Sequence, residues 1–424
     1  MLQARRLRAR GLKAVEARSS GRHIVFVSLA FHPDTSATSM LFTDLFRRMG
    51  AGGTRVTVLC GFPARDPASS RVLPRNDRLG SVEIHRCGPR IAGKRSLASR
   101  AVAYLLFLAH ACWRLALLGD RVMVVGGTDP PFTAVALWLL SRVRRITYQC
   151  LILDVYPDGL VALGRLRERS VAVRIWRAAN RRSFRHAARV LVIGRDMRRL
   201  LCRDYGVEPA RVDYVPHWAP AETEAAAPPP RGRLLEDLGI ERCFVVQYSG
   251  NMGLWHDIEG LVRAAHHLRL DRGIHFLLIG NGRRRGPAEA LARGLGLTNV
   301  TWLNIVPRCR LPVTLASCDA ALISFRPGLA GVAVPSKLYG VLASGRPVLA
   351  QVPDDSEVAY VVREERCGLV VPPGDAGALA EAIRTLASDR DLTAAMAANA
   401  FAAYRRTYTL AHATARFDRI WNLS

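Results

Sequence analysis

The chain runs twice through the same alternation of short buried strand and helix, and a segment of linker composition parts the two runs. That repeat confines it to parallel α/β architectures, because parallel strands need a crossover connection, usually a helix. In the first run His23–Ser28 reads as a buried strand. A polar loop from Phe31 to Ser39, a helix through Met49 and a second strand over Arg55–Leu59 follow. Further strands fall at Val122–Val125, Ile146–Leu153 and Val190–Ile193, the last leading into a helix whose start carries Asp196. Between the first two of these, the loop Gly126–Pro131 precedes an apolar helix ending at Leu140. Residues 219–231, rich in Pro and Ala, have linker composition. Beyond them strands at Phe244–Tyr248, His275–Ile279, Val300–Leu303, Ala320–Ile323, Val348–Ala350 and Gly368–Val371 resume the alternation, and the chain after Asp375 reads as helical. The expected organisation is a basic tail (1–22), a first domain (23–218), a linker (219–231), a second domain (232–400) and a closing helix (401–424). Ligands of doubly wound sheets bind beyond the strands' carboxyl ends, so two such domains facing one another would share a cleft.

At 424 residues the chain exceeds what one hydrophobic core usually serves, and half of it is apolar, which suits two cores rather than disorder. The formal charge of +26 points to anionic partners without choosing among nucleic acid, lipid and phosphorylated substrates. Nine cysteines are scattered, with no C-x-x-C pair and no Cys/His group at zinc spacing, so reduced, buried thiols and no metal site are expected. The first 22 residues hold seven Arg/Lys and no apolar core segment, so no secretory signal is expected there. They read either as an inert tail or as a basic arm.

Only three of the 61 basic residues are lysines: Lys13, Lys94 and Lys337. The chain otherwise meets its need for cations with arginine, a planar fork, so a compact ammonium on a flexible stem is a departure. Lys337 sits in Pro335-Ser336-Lys337-Leu338-Tyr339-Gly340, which reads as a short helix opened by Pro335 and stopped by Gly345. A helix start plus one ammonium suits a phosphate; a plain surface lysine is the alternative.

Three loops follow strands in the second run. Ser249-Gly250-Asn251-Met252-Gly253 and Gly280-Asn281-Gly282 permit close backbone approach, and Gly328–Lys337 is the third. Together with Lys337 they point to a nucleotide phosphate. Neither Walker A nor G-x-G-x-x-G spacing occurs, which argues against an NTPase and a dinucleotide-dependent dehydrogenase.

These residues resemble retaining glycosyltransferase family 4, of the GT-B fold, and most closely the branch that makes bacterial surface polysaccharide. The resemblance runs from about residue 23 to the end. Its carriers are Phe31-His32-Pro33, Asp154-Val155-Tyr156-Pro157-Asp158, Val215-Pro216-His217-Trp218, the two glycine turns, and Pro335–Tyr339 through Gly345-Arg346-Pro347-Val348. It implies two Rossmann-like domains, with a nucleotide-sugar donor held by the second through Gly250, Asn251, Gly253, His256, Gly280, Asn281, Ser336 and Lys337. It also implies acceptor binding by the first domain and a last helix that crosses back onto it. UDP-sugar is the favoured donor, a saccharide or polyprenyl-diphosphate-linked saccharide the acceptor, and no cofactor or metal is implied. Two departures stand out. Many members carry two glutamates eight positions apart where this chain has Val332 and Gly340, and the basic pair of the first loop in the second domain appears as Asn251 and His256. Diphosphate charge would then rest on Lys337, helix N-termini, and His256 or Arg326.

Retaining transfer needs an oxocarbenium-like state stabilised and a departing diphosphate neutralised. Lys337 serves the second need. Asp154, at a strand end, either holds an acceptor hydroxyl or acts as a turn or N-cap residue. Asp158 reads as a solvated first-turn acid. His32, Ser36, Thr38 and Thr128 lie in loops on the acceptor side, His32 as a proton carrier or a structural histidine.

Ala101–Leu118 is the most apolar stretch, but His110 and Arg114 interrupt it, so it is not expected to span a bilayer. Lys94, Arg95, Arg100 and Arg121 flank it, and Arg174, Arg177, Arg181 and Arg185 share one helical stripe. That pattern fits an enzyme resting on an anionic membrane at the cytoplasmic face, with a buried helix beside a solvated arginine face as the alternative. Two other functions stay open: a sugar-nucleotide epimerase of the same fold, and a polyanion-binding module without catalysis. No aromatic/basic interleaving of the RNA-binding kind is present, so nucleic acid is not an expected partner.

Overall fold

The computed structural model describes residues 23–63, 73–90, 97–118 and 122–422. The basic segment 1–22 and residues Lys94, Arg95 and Arg121 lie outside them. The chain divides into two compact units. One holds residues up to Ile152 together with Ala179–Leu191; the other holds Leu153–Ala178 and the chain from Val192 onward.

Two sheets are present among the described residues. The first contains β1 (His23–Val27), β2 (Arg55–Cys60), β3 (Asn76–Leu79), β4 (Val82–Arg86), β5 (Val122–Gly127), β6 (Thr147–Ile152), β7 (Arg189–Val192) and β8 (Val212–Tyr214), in the order β3-β4-β2-β1-β5-β6-β7-β8. β1 pairs in parallel with β2 and β5, β2 with β4, and β5 with β6, while β3 runs antiparallel to β4. The second contains β9 (Phe244–Ser249), β10 (Ile274–Ile279), β11 (Val300–Leu303), β12 (Ala320–Ser324), β13 (Val348–Gln351) and β14 (Gly368–Val371), ordered β11-β10-β9-β12-β13-β14 with every pairing parallel.

The second sheet shows why its strands read as continuous apolar runs. Val245, Leu277, Ile323 and Ala350 pack on one face with Leu338, Leu342 and Val361. Val246, Tyr248, Phe276 and Leu278 pack on the other with Ile258, Leu261 and Ile383. Both faces are covered by helices, so alternate residues of each strand are buried in opposite directions. In the first unit the Phe26 ring stacks on Phe42 at 5.3 Å and meets Phe46 at 5.0 Å, which fixes helix Ala37–Ala51 against β1.

Strand order reverses between β9 and β12 in the second sheet and between β1 and β5 in the first. At such switch points the flanking connections leave for opposite faces and open a crevice at the carboxyl ends. In the first sheet, Leu29 N–H donates to the Asp129 carbonyl at 2.6 Å and draws the loops after β1 and β5 together.

The expected α/β class with two doubly wound sheets is what the chain adopts. β3, β4 and β8 have no counterpart in the expected strands. β3 is a polar edge strand, Asn-Asp-Arg-Leu, turned back on β4 at Gly80, and neither it nor three-residue β8 presents an apolar run. Within residues 219–231, Ala219 N–H donates to Tyr408 O at 2.9 Å and Thr223 is buried. The apolar stretch forms helix Leu97–Ala116, and no helix among the described residues is long and apolar enough to cross a membrane.

Candidate functional site

The two glycine turns of the second sheet are laced to each other. Gly250 N–H donates to Ile279 O and Met252 N–H to Asn281 O, both at 2.9 Å. A Cβ on Gly280 would come within 1.9 Å of the Gly250 carbonyl oxygen, and one on Gly282 within 2.3 Å of the Met252 oxygen. These glycines therefore serve loop-to-loop packing, at φ of 143° and 155°, before any approach to a ligand. Arg285 completes the second turn: its Nη1 donates to the Gly280 carbonyl and to Asn281 Oδ1, each at 2.7 Å.

Lys337 opens helix Lys337–Ala343. Seven residues make a weak macrodipole, so the cation here is the side chain rather than the helix start. Its Nζ lies 3.6 Å from the centroid of the Tyr248 ring on β9, and a Cβ at Gly250 would stand 3.5 Å from it. The nitrogen is buried and has no hydrogen-bond partner among the described residues. This is not a surface lysine. Burial pushes its ammonium down to about 7 from an ordinary 10.5. The ring face returns part of the desolvation cost through its quadrupole.

His256 faces the same space, its ring 5.9 Å from that of Tyr248. Nδ1 lies 2.9 Å from the Ser324 carbonyl oxygen. A carbonyl only accepts, so Nδ1 carries the proton and Nε2 is left as an acceptor. Burial first, and the Lys337 charge second, push His256 down to about 3. Burial thus favours the neutral imidazole over the imidazolium that sharing diphosphate charge would need.

The missing glutamates have a packing explanation. Val332 is buried in the core beside the sheet, and a Cβ on Gly340 would already meet Leu315 Cδ1 at 3.1 Å. A carboxylate at Gly340 would have to push Leu315 aside, and one at Val332 would replace a buried aliphatic side chain.

The loop that delivers Lys337 is fastened along its length. Arg326 N–H donates to Trp255 O at 2.9 Å, Val155 N–H donates to Val332 O at 2.8 Å, and Asp154 forms a bridge with Ala333. Gly331 N–H donates to Asp196 Oδ2 at 2.8 Å, and the same oxygen accepts from Glu357 N–H at 3.1 Å. Fully buried Glu357 accepts from Arg195 Nε at 3.0 Å and from the Tyr214 hydroxyl at 2.6 Å. Burial raises both carboxyls, against the donors that surround them. The sequence carries no signal for the Glu357–Arg195 pair, because its members lie 162 positions apart.

Asp154 thus stands on the segment paired with the Lys337 loop. It does not cap helix Asp158–Ala162, whose N-cap is Pro157. Asp158 is not a solvated acid: Arg177 binds it at 2.8 Å and the Tyr205 hydroxyl donates to it. That ion pair also takes Arg177 out of the proposed basic stripe of helix Val171–His186. Ser336 is the N-cap of the Lys337 helix and makes no side-chain cap bond. Gly253, a short step from Gly250, accepts from His256 N–H at 3.2 Å.

The residues expected on the acceptor side fall in the first unit. His32, Ser36 and Thr38 follow β1, and Thr128 follows β5, the two connections at the switch point. Ser36 is the N-cap of helix Ala37–Ala51, its hydroxyl accepting from Ser39 N–H at 3.4 Å. The His32 carbonyl accepts from buried Arg86 Nη2 at 3.2 Å. Among the described residues no His/Cys/Asp/Glu group gathers to hold a metal ion.

Two α/β units on largely parallel sheets, one carrying a lysine and laced glycine turns at its switch point, have the architecture of the GT-B class, to which many glycosyltransferases belong. Comparison with known proteins makes this specific. Residues 39–218 match the model described as glycosyl transferase 4-like domain, and residues 243–389 match that of glycosyl transferases group 1. The chain is 28% identical over 296 residues to the probable glycosyltransferase WbjE of Pseudomonas aeruginosa, spanning 69% of this chain and 73% of that protein. It is 26% identical over 278 residues to the putative colanic acid biosynthesis glycosyl transferase WcaI of Escherichia coli (strain K12), spanning 63% and 66%. Among solved structures, sucrose-phosphate synthase from Thermosynechococcus elongatus superposes with a TM-score of 0.76 at 17% identity, covering 95% of this chain and 98% of that one. Anabaena Alr3699/HepE in complex with UDP-glucose superposes at 0.70 with 16% identity, covering 95% and 100%. The chain carries both glycosyltransferase domains and is a glycosyltransferase of the GT-B type.

Lys337→Met should stabilise the unliganded protein. The lysine's folded-state value lies below its unfolded one, so its burial cost is present in full below about pH 7 and fades as pH rises towards 10.5. Thermal denaturation should show the variant more stable by about 2 kcal/mol at pH 7. The gap should close towards pH 10.

Proposed function

We propose that the chain moves a sugar from a nucleotide-sugar donor, a UDP-sugar by preference, to a saccharide or polyprenyl-diphosphate-linked acceptor during surface-polysaccharide synthesis. The observation that carries this is the buried, unpartnered Nζ of Lys337 beside the Gly250 turn at the β9/β12 switch point. A buried cation without a counter-charge is costly, and a diphosphate is the anion that such a place suits. When the glycosidic bond to the diphosphate breaks, negative charge grows on the departing oxygen, and an ammonium held nearby stabilises that growth. Gly250, Asn251, Gly253, Gly280, Asn281 and Ser336 would frame the donor, and His256 would accept from one of its hydroxyls. Asp154, fastened to the Lys337 loop, would orient the sugar. His32, Ser36, Thr38 and Thr128 are assigned to the acceptor. Retention of anomeric configuration follows from the family resemblance. Relatives support the direction: one is named for colanic acid biosynthesis, and one structural neighbour holds UDP-glucose.

Purified protein given UDP-, GDP- and dTDP-sugars with membrane extract should release nucleotide, and Lys337→Ala should reduce release at least tenfold while folding normally. Donor binding without turnover would favour the non-catalytic module instead.

The membrane contact is assigned to the apolar surface of the first unit, in place of the arginine stripe. Helices Leu97–Ala116 and Thr133–Val143 pack together and leave Leu105 64%, Trp113 57%, Leu139 56% and Val143 78% exposed. Arg142, Arg144 and Arg145 are exposed beside Val143. Exposed aliphatics and an indole beside arginines suit the headgroup boundary of an anionic leaflet at the inner face of the cell membrane. Leu105→Glu with Trp113→Glu should cut co-sedimentation with phosphatidylglycerol vesicles at least fivefold. Unchanged sedimentation would put the contact elsewhere.

A further inference from the structure

On the strength of the donor reading above, we propose that Lys337 takes up a proton as a nucleotide diphosphate seats on it, so that donor binding and protonation are one event. The argument starts from what surrounds Nζ. It is buried, makes no hydrogen bond, and rests 3.6 Å from the centroid of the Tyr248 ring. The ring face returns only part of the cost of withdrawing an ammonium from water. Among the described residues, two groups that could carry charge face it. From β9 comes the Tyr248 phenol, kept protonated by burial, with its hydroxyl donating to Asn251 O at 2.7 Å. From the loop before helix Ile258–His267 comes His256, neutral, with its Nδ1–H committed to Ser324 O. On its own helix, Tyr339 turns to His217 and Tyr408.

Among the described residues no carboxylate pairs with the nitrogen. The two places where the resembling family carries glutamates are filled by Val332 and Gly340, and Leu315 packs tightly over the second. A lysine so placed holds its proton weakly, and burial lowers it to about 7. The diphosphate supplies the missing negative charge. One proton from solvent then adds to the Nζ lone pair, and the resulting ammonium donates its N–H groups to phosphate oxygens. When the nucleotide leaves, its charge leaves and the proton returns to solvent. The absent glutamates thus acquire a consequence: they make the site's cation conditional on its ligand.

The test is isothermal titration calorimetry of UDP-glucose, GDP-mannose and dTDP-glucose, whose diphosphate diesters do not titrate near neutrality. Each pH is run in buffers of different ionisation enthalpy, which yields the number of protons exchanged. For the sugar that binds, about 0.9 proton should be taken up at pH 8 and about 0.1 at pH 6, from a free-state value near 7. Affinity should fall up to tenfold per pH unit above 7. Uptake should persist in His256→Gln and vanish in Lys337→Arg and Lys337→Met, with melting curves establishing that each variant is folded. Binding at pH 8 with no proton exchange would overturn the proposal while leaving the donor reading intact. Uptake that survives Lys337→Met, or is lost in His256→Gln, would also overturn it. Failure of all three sugars to bind at either pH would remove the donor reading, and this inference with it.

Discussion

The ammonium of Lys337 lies on the face of Tyr248 with nothing to accept its hydrogens, and the second unit is built to keep it there. The ring is fixed by its position on β9 and by its hydroxyl's bond to Asn251 O. The lysine is fixed because its helix buries Leu338, Tyr339 and Leu342 in the core on one face of the sheet. The loop before that helix is tied to Trp255, to Val155 and, through Gly331, to Asp196. An ion withdrawn from water lowers stability, so its retention calls for a function, and an incoming diphosphate would meet that cost with its own charge.

A consistent division of labour follows. Sheet order sets where ligands gather, because the β9/β12 reversal opens a crevice at the carboxyl ends. The glycines let the Gly250 and Gly280 turns touch backbone to backbone, which removes side chains from the crevice floor. Buried polar pairs, Glu357 with Arg195 and Asp196 with Gly331, hold the loop that carries the cation. Under the proposed donor reading, specificity would fall to neutral groups, with His256 as an acceptor and Asn251 as an exposed amide.

Much of the fold was legible because its main strands are buried on both faces and so read as apolar runs. β3 and β8 were not, being a polar edge and three residues long. The site was legible in its residue types and less so in their states. Lys337 stood out by rarity, but its burial depends on Tyr248, 89 positions away, which no local pattern reports. His256 was expected beside the diphosphate or sugar, and its burial against Tyr248 and Phe325, which lowers the imidazole, is set by contacts that no local pattern reports. Asp158 looked solvated, whereas Arg177 and Tyr205 bind it across helices distant in sequence. In each case a long-range contact overrode a reading that was sound locally.

The scarcity of lysine offers the most direct test of the central claim. Protein labelled at lysine ¹³Cε should show three side-chain resonances, one for each of Lys13, Lys94 and Lys337. One of them, absent in Lys337→Met, should titrate near neutrality in the free protein and stay charged when the protein is saturated with UDP-glucose or another bound nucleotide sugar. Three resonances that all titrate in the ordinary lysine range, unmoved by saturating nucleotide, would contradict the account.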